Sequence, residues 1–167
     1  MKRLLPLLLL WPLLGLTPYS PMPRRPALPE SARHLTLRIN GQAVAADTSS
    51  SRFFLSSDHA LRLNVVRADD PDGEGLTIII DRFPIQTGSY TFQEILSGRN
   101  RDASYRYGAV AAYSKSCAQN TGSVVITGVN AERHWLRGTY RCQVCEAGRG
   151  GRRFLLEGEF QYPVEKE

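Results

Sequence analysis

Two-residue alternation of apolar and polar positions dominates the chain from residue 34 onward, and the helical period is nowhere sustained. Leu35, Leu37 and Ile39 alternate with Thr36 and Arg38, and Asn40-Gly41 then supplies two residues that tolerate positive φ in a tight hairpin turn. The pattern predicts a strand over 34–40 and its return over 42–46. Phe53, Phe54 and Leu55 mark a strand over 52–56, and Leu61, Leu63 and Val65 share one face of another over 60–67. The acid- and glycine-rich run 69–75 reads as a turn into 76–81, where three consecutive isoleucines predict a strand buried on both sides. Further strands are predicted over 89–92, 104–113, 122–129, 135–144 and 152–162, bounded by Gly, Asn or Ser clusters, with 91–96 able to form a single helical turn. Nine or ten short strands in this style predict an all-β domain, either an antiparallel β-sandwich or a closed β-barrel. No repeat points to a solenoid or propeller.

The first residues follow another logic. Lys2 and Arg3 precede an apolar run over 4–16 broken only by Pro6, Pro12 and Gly15, the pattern of a secretory signal peptide. That run is shorter than the roughly 20 apolar residues needed to span a bilayer. No small-x-small site marks the cleavage point. Seven of the ten prolines lie at or before Pro29, so a solvated, extended tether is expected next. The predicted organisation is a signal peptide over 1–20, a proline-rich tether over 21–33 and a single β domain over 34–167. The product is expected in the periplasm or outside the cell, with no transmembrane segment in the mature chain. The first cysteine is Cys117, so attachment through a lipid-modified N-terminal cysteine is not expected.

Composition sharpens this reading. With 167 residues, 42% hydrophobic and 22% charged, the chain has room for one domain with a core and is no disordered polycation. The formal charge of +5 invites a nucleic-acid hypothesis. Lys2, Arg3, Arg24 and Arg25 against Glu30 place +3 of it in the first thirty residues, leaving 17 basic against 15 acidic residues beyond. Nucleic acid therefore drops out of the expected partners.

Three features together carry a family resemblance: the Asn-Gly turn after the opening strand, the GSYTF run at 88–92, and the series GSVVIT at 122–127, LRGTYR at 136–141 and FLLEGEF at 154–160. In these the chain resembles the uncharacterised β-sandwich lipoproteins of Gram-negative cell envelopes. The resemblance spans about 35–162, implies a β-sandwich in the envelope, and implies no activity. The missing lipid-bearing cysteine is a departure from that family.

The cysteines are Cys117, Cys142 and Cys145, and an exported protein meets an oxidising compartment. If 122–129 and 135–144 form a hairpin, cross-strand partners have numbers adding to about 264. Cys117 then falls near the position opposite Cys145, while Cys142 faces Gly122 and shares a face with Tyr140 and Val144. A Cys117–Cys145 disulfide with Cys142 as a buried free thiol is predicted. The rivals are weaker. Cys142 and Cys145 form a CxxC, but in a strand rather than at a helix N-terminus. A zinc site of Cys117, His134, Cys142 and Cys145 would draw on opposite ends of the hairpin. Glu146 stands where haem attachment needs histidine.

Two further clusters invite chemistry. Asp70, Asp72 and Glu74 have the spacing of the start of a calcium loop without its closing glutamate, and a solvated turn competes with calcium there. Arg99, Arg101 and Arg106 with Tyr105 and Tyr107 combine guanidinium and aromatic groups as an anion or ligand patch would, and Arg149, Arg152 and Arg153 flank another glycine turn, though a solvated loop and an ordinary Arg-Gly turn are the favoured reading of both. No nucleophile elbow, zinc-protease helix or phosphate loop occurs, and His34, His59 and His134 stand apart. The catalytic set is therefore empty, no cofactor other than calcium is suggested, and a non-catalytic binding or envelope-interaction module leads. The alternatives are a lipocalin- or avidin-like barrel holding a small ligand among Phe92, Tyr107, Trp135 and Tyr140, and a hydrolase of envelope glycan.

Overall fold

The computed structural model describes residues 32–70, 72–92 and 101–166. The predicted leader and most of the tether, Arg99, and most of the 91–96 turn lie outside them. The described chain is all-β: β1 (His34–Leu35), β2 (Leu37–Ile39), β3 (Gln42–Val44), β4 (Ala46–Leu55), β5 (Leu61–Arg67), β6 (Gly75–Ile80), β7 (Gly88–Thr91), β8 (Arg101–Tyr107), β9 (Val110–Tyr113), β10 (Gly122–Asn130), β11 (Trp135–Glu146), β12 (Arg153–Pro163) and β13 (Glu165–Lys166). One 3-10 turn, Ser114–Ser116, follows β9.

All strands belong to one sheet, ordered β13-β4-β5-β6-β8-β9-β11-β12-β2-β3, with β1 also on β12, β10 on β11 and β7 on β10. Its ladders are antiparallel except for the parallel β13–β4 bridge, so the sheet is mixed. The order has two free ends, and the closed barrel is corrected on that ground. β3 and β4 follow each other without a ladder between them, and the return of β13 to β4 rests on two residue pairs, too few to continue a cylinder. The sheet instead bends over its own inner face. Phe53 of β4 packs against Phe160 and Tyr162 of β12, ring centres 5.2 and 4.7 Å apart.

Alternation decides which side chains form that face. Leu61, Leu63 and Val65 of β5 are fully buried, as are Leu76, Ile78 and Ile80 of β6. Ile79 and Thr77 are half-buried, so β6 is buried on one face and partly shielded on the other, less than its isoleucine run suggested. The Asn40-Gly41 turn has both residues at positive φ, 52° and 81°, and joins Ile39 to Gln42 across the β2–β3 ladder. Residues 104–113, read as one strand, are a hairpin: Gly108 takes φ 53° and the chain reverses, pairing Tyr107 with Val110. The β10–β11 register pairs Gly122 with Cys142 and Ile126 with Gly138, then slips by one residue before Gly128.

Two tyrosines pin the fold through their hydroxyls. Tyr140 donates to the Thr36 carbonyl at 2.6 Å, crossing Gly158 to reach it, and Tyr162 donates to the carbonyls of Thr48 and Ser51. Burial holds the Tyr140 hydroxyl protonated far above its ordinary range.

Candidate binding cleft

The cysteines form a staple, not a reactive centre. Cys117 is bonded to Cys145, their Cα atoms 5.1 Å apart, which ties the turn after β9 to the end of β11, where Cys145 already pairs with Tyr113. Cys142 is free and buried, and burial pushes its thiol up to about 12, the reverse of what nucleophilic or redox work needs. Three residues apart on a strand, Cys142 and Cys145 point to opposite faces of the sheet. The zinc set fails too, because two of its sulfurs are in the bridge and His134 follows β10 at the far end of the hairpin.

In the acidic loop the carboxylates of Asp70 and Glu74 take other partners. Asp70 accepts the backbone N–H groups of Asp72 at 3.1 Å and Gly75 at 3.2 Å, making it an organiser of the turn. Glu74 is drawn across to Arg106, 3.2 Å away, and Asp72 is exposed. Among the described residues no group of three or more His, Cys, Asp or Glu side chains comes together as a metal site.

The basic aromatic patch is divided by the pleat. Arg101, Tyr105 and Tyr107 lie on one face of β8 and Arg106 on the other. Arg101 is buried, its Nη1 donating to the Thr91 carbonyl at 3.1 Å and its guanidinium 5.4 Å from the Tyr90 ring centre, so it belongs to the interior. Exposed Arg106 serves Glu74 and the Tyr113 hydroxyl.

Tyr105 and Tyr107 do enter a site, with partners the sequence pattern did not gather. At the end of the sheet where the β2–β3, β5–β6 and β8–β9 turns meet the start of β12, a cleft of about 520 Å³ opens. Ile39, Val44, Val110 and Phe154 give it an apolar lining beside the two tyrosines, with Asn40 and Gln42 at its edge. Arg67 lies 3.7 Å over the Tyr107 ring and donates from Nη1 to the Tyr105 hydroxyl at 3.1 Å. Tyr105 packs on Phe154 with ring centres 5.7 Å apart, and Arg152 lies 5.6 Å over Phe154. Each arginine is gripped from outside the cleft by one carboxylate. Asp69 takes Nε and Nη2 of Arg67 at 2.8 and 2.6 Å, and Glu146 takes Nε and Nη2 of Arg152 at 2.9 and 2.7 Å. These charge-assisted bonds hold both carboxyls below their usual pKa range. The hairpin wall is fixed as well: Asn40 N donates to the Leu155 carbonyl and Leu155 N to Asn40 Oδ1, both at 2.8 Å.

Arg67 was missed as a site residue, yet Arg67 and Asp69 are two apart near a strand end, a spacing that puts opposite charges on one side. The link from Arg152 to Phe154 has the same period. No such local signal joins β5, β8 and β12 to one another.

The opposite end of the sheet holds a hollow of about 100 Å³ among Leu55, Phe83, Ile85 and Trp135, and beside it one of about 350 Å³ along His59, Arg82, Phe83 and Ile85. His59, Arg82, Ile85 and His134 all have positive φ there. His59 and His134 serve through backbone carbonyls that accept from Phe83 N and Val164 N, while His34 lies in the β1–β12 ladder. The four aromatics expected to line one ligand cavity are dispersed: Phe92 and Tyr140 are core, Trp135 borders the small hollow, and only Tyr107 reaches the cleft.

The fold and site define an all-β, disulfide-stapled single sheet with one aromatic and arginine-lined cleft. Among the described residues no helix is long and apolar enough to cross a membrane. Compared with protein-family models, with curated proteins and with solved structures, the chain finds no match in any of the three.

Proposed function

We propose that this protein is a non-catalytic binding module acting outside the cytoplasm, in the envelope or beyond it, and that the cleft between Arg67 and Arg152 is its ligand site. The observation that carries the reading is the pre-organisation of that cleft. Its aromatic walls are packed, both guanidinium groups are oriented by carboxylates behind them, and its lining holds no Cys, His, Ser, Asp or Glu to act as nucleophile or general base. The bent-over sheet is read as a sandwich within one ladder network. The leader pattern, the disulfide and the resemblance to envelope β-sandwich lipoproteins support export.

The test is nuclear magnetic resonance of the folded protein against a library of small molecules of mixed charge. Saturable shifts centred on Ile39, Val44 and Val110 are the expected result. A library that perturbs no cleft residue, or acts only at the opposite end of the sheet, overturns the assignment.

A further inference from the structure

Resting on that cleft reading, we propose that the ligand is a small amphipathic anion: an oxyanion head, carboxylate or sulfonate, on an apolar body of two or three rings. The charge pattern of the lining carries this. Both ionised side chains that border the cleft are arginines, and the carboxylates that hold them, Asp69 and Glu146, are not part of its lining. Each acid occupies the Nε and Nη2 edge of its guanidinium. That leaves the Nη1 amino group of each fork off the carboxylate, on Arg67 shared with the Tyr105 hydroxyl. The oxygens of a carboxylate or sulfonate accept charge-assisted hydrogen bonds from such groups.

The apolar part has its own place. Half-buried Tyr107, Phe154 and Val110 offer aromatic edges and a branched side chain over the buried Tyr105, and about 520 Å³ falls in the range of small-ligand sites. A cation would meet two guanidinium groups and no lining carboxylate. A neutral ring would cover both arginines without giving them an acceptor, and desolvating an unmatched donor is unfavourable. The arginines are already ordered by their acids and stacked on Tyr107 and Phe154, so little side-chain freedom remains to be lost on binding. Because both positive charges are compensated nearby, recognition depends on directed hydrogen bonds more than on long-range attraction, and salt should weaken it only modestly.

Two fluorescent probes sharing one ring body test this on the full chain: 1-anilinonaphthalene-8-sulfonate and uncharged N-phenyl-1-naphthylamine. The sulfonate should bind at least about tenfold tighter, and Arg152→Gln should bring the ratio of the two affinities to within about twofold of one. Val110→Trp, which fills the lining, should abolish binding of both, with Val44→Trp as a second filling variant and circular dichroism verifying the fold. Equal affinity for the two probes, unchanged in Arg152→Gln but lost in Val110→Trp, overturns the anionic ligand and spares the cleft. Binding that survives both filling variants, or no binding of either probe, overturns the cleft itself.

Discussion

Removing the Cys117–Cys145 bridge should cost a large share of the folding stability and little of the folded structure. The bridge spans 28 residues, and the chain-entropy relation assigns a loop of that length about 3.6 kcal/mol at 25 °C. A domain of this size has about 5–15 kcal/mol in total. The native sheet has its own reasons to stay together at this point, because Cys145 pairs with Tyr113 and Glu146 with Ala112 in the β9–β11 ladder. The effect should therefore lie in the unfolded ensemble and appear as a lower urea midpoint. With a slope of about 1.8 kcal/mol per molar, 3.6 kcal/mol is a shift of about 2 M. The assay is urea unfolding of the wild type with and without dithiothreitol, beside the Cys117→Ala, Cys145→Ala double variant and Cys142→Ala. The double variant should match the reduced wild type and ignore reductant, while Cys142→Ala should keep full sensitivity. An unmoved wild-type midpoint under reduction, or a non-reduced peptide map with Cys142 in the bridge, would refute the reasoning.

Two further outcomes are expected. Cys142 is protonated in the fold up to about 12 against an ordinary value near 9, so its contribution is complete below pH 9 and declines as pH rises toward 12. Denaturation curves at pH 8 and pH 11 should show the wild type losing more stability than Cys142→Ala, and equal losses would contradict the burial argument. Gly158→Ala would place a methyl group against the Thr36 carbonyl and 2.5 Å from the Tyr140 hydroxyl. Overpacking, with the Tyr140 hydrogen bond displaced, should cost about 3 kcal/mol or more in the same urea assay, and an unfolding free energy within about 0.3 kcal/mol of wild type (about one tenth of the expected loss) would show that the crossing is not tight.

Local chemistry made much of the fold legible. The Asn40-Gly41 turn, the alternation in β5 and β12, and the β10–β11 register all follow from period-two patterning plus residues that accept positive φ. The cysteine pairing was readable for the same reason, since register converts sequence distance into spatial distance. Closure of the sheet was not readable. It depends on whether β3 meets β4, and both an open and a closed sheet present the same alternation. The partners of the acidic loop and the basic patch were not readable, because residue type does not tell where a side chain finds its partner. Glu74 answers to Arg106 from another strand, and Arg101 sits inside against Tyr90.

The most consequential difference between pattern and structure lies at the cleft itself. A continuous strand over 104–113 would carry Tyr105 and Tyr107 straight past the end of β6 and leave that edge flat. Gly108 turns the chain instead, and the pairing of Tyr107 with Val110 places both in the wall of the concavity opposite Phe154. Arg67 then stacks on Tyr107 just before the turn between β5 and β6. A glycine with φ 53° and nothing within 4 Å of where its Cβ would lie is held for its backbone alone. The cleft thus depends on a reversal that places hydrophobic residues on both sides of one glycine, a pattern that two-residue alternation reads as uninterrupted strand.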